Sequence, residues 1–218
     1  MIKVRKATYR ILNNLFYYSI PTAPSGATTY PMLGDLALAF AIAKNLGEHP
    51  RRHVPPIKPD YTVIRDFSFR VTVGKPVDWR YTQYYTRKTS FWDGGFNNDI
   101  ELKTGSYLFK SFFYNQGIQA GAVFEGYIID LADNLSESFT IRVGLGRETL
   151  VEVILKDISN IETFSDVWLN GYTLNEVLKK SNLRTELLNK AKEVEYVSGL
   201  YEIIKLDNLE QDKLLELK

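Results

Sequence analysis

The chain has no cysteine in its 218 residues, which excludes a disulfide framework, a thiolate zinc site, an iron–sulfur cluster and a cysteine nucleophile. It has only two histidines, His49 and His53, in a segment broken by Pro50, Pro55, Pro56 and Pro59. They cannot share a helix face there, and two ligands are fewer than a metal site needs. No apolar run reaches the ~18 residues of a membrane span. The opening Met-Ile-Lys-Val-Arg-Lys is interrupted by charge too often to form a signal-peptide core, so a cytoplasmic location is expected. The net charge is only +1, so no global basic field steers the protein onto nucleic acid, and any such site must be local. Internal repeats and low-complexity segments are also missing.

What is present is an ordinary globular composition, 44% hydrophobic and 24% charged, in a length that suits one core with elaborations: a single domain over 1–218, with 161–218 as a C-terminal elaboration packed on it. The aromatic content is high, with 14 Tyr, 12 Phe and 3 Trp. Tyrosine suits surfaces that must be both apolar and hydrogen-bonding, so some of these rings are expected to face a partner.

Ile2, Val4, Ala7, Tyr9 and Ile11 alternate with polar residues, with a phase slip near Arg5-Lys6 that a bulge would explain; this predicts a central first strand. A loop is expected over 20–31. Residues 32–46 carry Leu36, Leu38, Phe40, Ile42, Leu46 and four alanines and are closed by Gly47, the pattern of a buried helix with a glycine stop. Residues 48–60 read as an extended basic loop. Phe67, Phe69, Val71 and Val73 alternate as a half-buried strand ended by Gly74-Lys75-Pro76. Further strands are predicted at 107–114, 123–131, 139–143 and 150–155. Thr173-Leu174-Asn175-Glu176 reads as a capping box opening a short helix, followed by a helix over 184–194, a last strand over 196–206 and a frayed charged tail. This order gives an α+β, ferredoxin-like or RRM-like antiparallel sheet with a buried helix, a long β-hairpin insertion and a C-terminal helical elaboration, although a helix between the third and fourth strands is poorly signalled.

Residues 79–92 place Trp79, Tyr81, Tyr84, Tyr85, Phe91 and Trp92 among Arg80, Arg87 and Lys88, with no acid. Cations neutralise phosphates and rings stack on unpaired bases at ~1–3 kcal/mol each, so the mixture suits a single-stranded nucleic acid. The alternative is a long hairpin whose rings pack on the core. Gly144-Leu145-Gly146-Arg147 could bring backbone N–H groups to a phosphate with Arg147 and Arg142 as cations, or it could simply turn the chain. It is neither a P-loop nor a dinucleotide fingerprint. Asp93, Asp99 and Glu101 beside Gly94-Gly95 read as exposed acids around a turn.

Taken in order, Asn14-Leu15-Phe16-Tyr17-Tyr18, the run from Tyr30 to Ile42, Leu102-Lys103-Thr104-Gly105-Ser106-Tyr107-Leu108-Phe109 and Ile141-Arg142-Val143-Gly144 resemble the Cas-five-type small subunit (Csc-one) family of type I-D CRISPR interference complexes. Thr104 stands where that family's segment has proline before the glycine. The resemblance spans residues 1 to about 160 and implies a RAMP fold that binds the 5′ handle of the guide RNA (crRNA). It further implies a subunit that caps the filament of repeated backbone subunits and contacts the large subunit that reads the protospacer-adjacent motif in target DNA. It carries over the turn with Gly144 and Arg147 as facing RNA. The RNA-binding residues expected are Arg80, Tyr84, Tyr85, Arg87, Lys88, Trp92, Arg142, Gly144, Gly146 and Arg147, with no catalytic residue, metal or cofactor. Two rivals remain at this level: a metal-independent endoribonuclease using His53 or a tyrosine as base, and an assembly protein that binds only protein.

Overall fold

The computed structural model describes residues 2–16, 19–23, 26–49, 60–88, 112–144, 148–158 and 162–218. Strand β1 (Lys3–Ile11) lies centrally in the main sheet, with β8 (Val123–Asp130) on one side and β10 (Thr149–Asp157) on the other, both antiparallel to it. Beyond β8 lie β4 (Phe69–Val71) and β5 (Lys75–Asp78), and beyond β10 lies β9 (Ser138–Val143), also antiparallel. A second sheet runs in the order β2 (Ser19–Ala23), β3 (Gly26–Thr29), β7 (Phe112–Gln116), β6 (Tyr85–Lys88), in which β3 and β7 are parallel. A third joins β11 (Thr163–Asn170), β13 (Tyr201–Glu210) and β12 (Glu193–Ser198).

Alternation decides which side of β1 is buried. Ala7, Tyr9 and Ile11 point into a core shared with Leu38 and Ile42 of helix α1 (Asp35–Leu46). The phase slip near Arg5-Lys6 is not a bulge, because the register runs unbroken along both neighbours. Instead Val4 packs on the opposite face, in a second core with Tyr127, Ile129 and the C-terminal residues Phe164, Val167 and Ile204. Arg5 stays on the inner face, where its guanidinium lies 3.6 Å from the fully buried Asp130 and donates to the Leu135 carbonyl at 2.7 Å and to Asp133 at 3.1 Å. Arg5 thereby pins residues 131–137, which carry the chain from β8 to β9. The second helix expected of a ferredoxin-like sheet is not found in this crossing segment.

α1 starts three residues later than the apolar pattern suggests, because Leu33 bridges to Gly74 instead of entering the helix. It ends as expected, with Gly47 left-handed at φ 76° and Glu48 N–H donating to the Ala43 carbonyl at 2.8 Å. Gly74-Lys75-Pro76 does not end the sheet, since β5 resumes pairing with β8 at Lys75. The expected loop over 20–31 contains β2 and β3.

The C-terminal part is more β than helical. β11 had no clear sequence signal, and the single strand expected over 196–206 is the hairpin β12–β13. The capping box does not form: Thr173 Oγ1 donates to Asp35 Oδ2 at 2.5 Å rather than capping its own turn, which is π-type over Thr173–Val177. Helix α2 (Ser181–Lys190) buries Leu183 and Leu187. The tail is docked, not frayed: α3 (Gln211–Leu215) and the residues after it bury Leu214 and Leu217 in the second core. Among the described residues, no helix is long and apolar enough to cross a membrane.

Candidate nucleic-acid interface

The antiparallel register brings four chain segments to one end of the main sheet: the end of β1, the end of β9, the start of β10 and the start of β8. Paired asparagines after β1 fasten them. Asn13 Oδ1 accepts from Leu150 N–H at 2.7 Å, and Asn13 Nδ2 donates to the Glu148 carbonyl at 3.0 Å. Asn14 Oδ1 accepts from Ala120 N–H at 3.0 Å, and the Asn14 carbonyl accepts from Thr149 Oγ1 at 3.0 Å. These asparagines were not foreseen. Beyond the place of Asn14 in the run that carries the family resemblance, their sequence signal is a polar pair directly after an alternating strand.

Arg142 and Gly144 stand at this end. Arg142 is exposed between the buried Ile141 and Val143 of β9. Gly144 is left-handed at φ 85°, and a Cβ there would lie 3.1 Å from both the Phe16 carbonyl and Thr149 Oγ1. Turn geometry and close approach therefore account for glycine here without a ligand. Gly146 and Arg147 lie outside the described residues.

The chain after β5 reaches the same end. Gln119 N–H donates to the Arg80 carbonyl at 2.9 Å, and Thr82 N–H donates to the Gly117 carbonyl at 2.9 Å. Buried Thr82 also accepts from Gly117 N–H through its hydroxyl at 3.0 Å. This fixed backbone projects the exposed Arg80 and leads through Tyr84, 54% exposed, into β6. Tyr85, Arg87 and Lys88 lie on β6, paired antiparallel with β7 across from Asn115, Phe113 and Phe112. Trp92 lies outside the described residues, as does Phe91.

Two rings of the aromatic stretch are structural. Trp79 and Tyr81 meet edge-to-face at 4.7 Å, and Trp79 packs against the main core. Partial burial raises the Tyr81 hydroxyl pKa above its ordinary value. Tyr30 is likewise raised, by burial and by its hydrogen bond to Glu195. His49 packs edge-on to Phe40 at 5.0 Å, whereas His53 lies outside the described residues. No group of three or more His, Asp or Glu among the described residues is placed to hold a metal.

No curated protein matches the chain. The family model of the type I-D CRISPR-associated protein Cas5/Csc1 matches residues 2–214, which extends the likeness through β11–β13 and α3, and the chain therefore belongs to the type I-D Cas5/Csc1 family.

Proposed function

We propose that this Cas5/Csc1 subunit of a type I-D CRISPR system is a non-catalytic RNA-binding protein that grips the 5′ handle of the crRNA at the fastened end of its main sheet. From that position it caps the filament of repeated backbone subunits and helps set the large subunit against target DNA beside the protospacer-adjacent motif. The observation that carries this reading is convergence: Arg80 and Tyr84, on the chain after β5, and Arg142, far from them in sequence on β9, are exposed at one sheet end, and β6 with Tyr85, Arg87 and Lys88 begins there. Cations for phosphates beside rings for splayed bases are what a single strand needs, and binding of this kind requires no reaction.

The strand order β10-β1-β8-β4, with α1 between β1 and β4 in the chain, supports a ferredoxin-like RAMP sheet in which β9 takes the place of the second helix. The raised Tyr30 and Tyr81 hydroxyls would make poor bases near neutral pH, which counts against these two tyrosines as the base of an endoribonuclease.

The test is a pull-down of the tagged chain from cells expressing its genomic neighbours, with sequencing of bound RNA and identification of bound proteins. Short repeat-tagged RNAs together with a repeated backbone subunit are expected. An RNA-free monomer would overturn the proposal, and cleavage of repeat RNA by the purified chain would replace it with the nuclease.

A further inference from the structure

Beside Arg80, at the same sheet end, lies an open cleft of about 230 Å³ lined by Asp78, Trp79, Arg80, Gln119 and Gly121. It is below the ~300–1,000 Å³ typical of sites for drug-sized ligands, a size that suits one ring system rather than an extended molecule. Its frame is rigid. The bond from Gln119 N–H to the Arg80 carbonyl closes its base, and Gly121 N–H donates to the Ile11 carbonyl at 2.7 Å. At Gly121 a Cβ would meet nothing within 4 Å, so the chain leaves this side of the cleft clear.

The cleft's polar side chains are uncommitted. Asp78, Arg80 and Gln119 are exposed, and none of their side chains has a hydrogen bond or ion pair to a described residue. They contrast with the neighbouring Lys75, which is paired with Asp166 at 2.5 Å, and Arg10, which is paired with Glu152 at 3.1 Å. A carboxylate only accepts hydrogen bonds, a guanidinium only donates them, and a primary amide does both. Set along one cleft, these groups match an unstacked purine whose edge offers two adjacent donors to a carboxylate and an acceptor to an amide, with its phosphate available to a cation. Guanine has that edge: N1–H and the 2-amino group face one way, with O6 beside them.

We propose that this cleft is a base pocket for one unstacked guanine of the bound RNA, with Asp78 accepting from N1–H and the 2-amino group, Gln119 donating to O6 and Arg80 holding the adjoining phosphate. The proposal rests on the RNA-binding reading above and adds to it a site that reads base identity. Asp78 and Gln119 carry the discrimination, while Arg80 adds affinity without sequence preference.

The experiment uses the reconstituted complex with guide RNAs in which each guanine of the repeat-derived 5′ segment is replaced in turn by inosine, which lacks only the 2-amino group. In the wild type one position is expected to lose about tenfold in affinity, the scale of one hydrogen bond to a charged acceptor. That penalty should vanish in Asp78→Ala, which has no acceptor, while Gln119→Ala should weaken the guanine-containing guide and leave the complex assembled. Tight guide binding with no inosine penalty at any position would overturn the pocket and leave the RNA-binding function standing. Failure of the wild-type complex to hold any RNA would overturn both. An inosine penalty seen only in a DNA strand of the same sequence would overturn the assignment to the guide.

Discussion

Asp35, the first residue of α1, is buried against Asn170 at the end of β11: Asn170 Nδ2 donates to Asp35 Oδ1 at 2.8 Å while Thr173 supplies the second oxygen's bond. Residues 135 positions apart thus lock the buried helix to the C-terminal sheet. Burial raises the Asp35 pKa from 3.8 to about 6, against the opposing pull of these hydrogen bonds.

A raised folded-state pKa means that the native state holds the proton more tightly than the unfolded chain, so the associated stability is present below pH ~4 and is lost as pH rises through ~6. Two pKa units correspond to about 3 kcal/mol. Asp35→Asn removes this titration but forfeits one acceptor, a loss of ~1 kcal/mol. The variant is therefore expected to be less stable than wild type at pH 4 and to match or exceed it at pH 7. Urea unfolding of both proteins across pH 4–7 reads the difference, and a constant gap would refute the titration.

Arg5 is the cation for a carboxylate with no solvent exposure, Asp130. Replacing Arg5 with Met should cost up to ~3–5 kcal/mol, because Asp130 then keeps only the backbone N–H groups of Asn134 and Leu135, at 3.3 and 3.1 Å, as partners. Adding Asp130→Asn should recover part of the loss, because the stranded charge is removed. Denaturant midpoints of the two variants test this; equal midpoints would show that the loss of Arg5 does not act through Asp130.

Gly144 separates a packing role from a binding role. Gly144→Ala should destabilise the protein by ~1–2 kcal/mol through its left-handed backbone and the contacts with Phe16 and Thr149. Guide retention per folded molecule should stay unchanged. A lower melting temperature with normal retention is the expected pair of results; normal melting with lost retention would restore the glycine to the interface.

The sequence made legible whatever followed a period. Tyr9 and Ile11, Phe69 and Val71, and the run from Leu36 to Leu46 announced their elements because burial on one face forces alternation or helical spacing. Arg5 hid its strand's continuity, since a cation in a buried row looks like a break in phase. Pro21, Pro24 and Gly26 disguised β2 and β3 as a loop. Leu214 and Leu217 are spaced for a helix face, but among Asp212, Lys213 and Glu216 they read as an exposed tail. At the site, the aromatic-basic stretch and Arg142 were visible by composition, whereas their convergence depends on Asn13 and Asn14, whose partners lie more than 100 residues away.

That convergence gives the interface its sharpest prediction. Arg80 and Arg142 are exposed and their side chains have no hydrogen bond or ion pair to any described residue, so replacing either with Ala should change stability by no more than ~0.5 kcal/mol. If each neutralises a guide phosphate, each loss should lower the slope of log affinity against log salt by ~0.7, the increment for a single strand. Arg142→Lys should restore the slope, because counterion release counts charge, but should restore less affinity if the guanidinium binds two phosphate oxygens at once. Guide binding by the reconstituted complex between 50 and 300 mM salt measures both quantities. Slopes that stay at the wild-type value in both alanine variants would remove these arginines from the phosphate path, and a slope reduced only in Arg80→Ala would confine that path to the β5–β6 side of the sheet end.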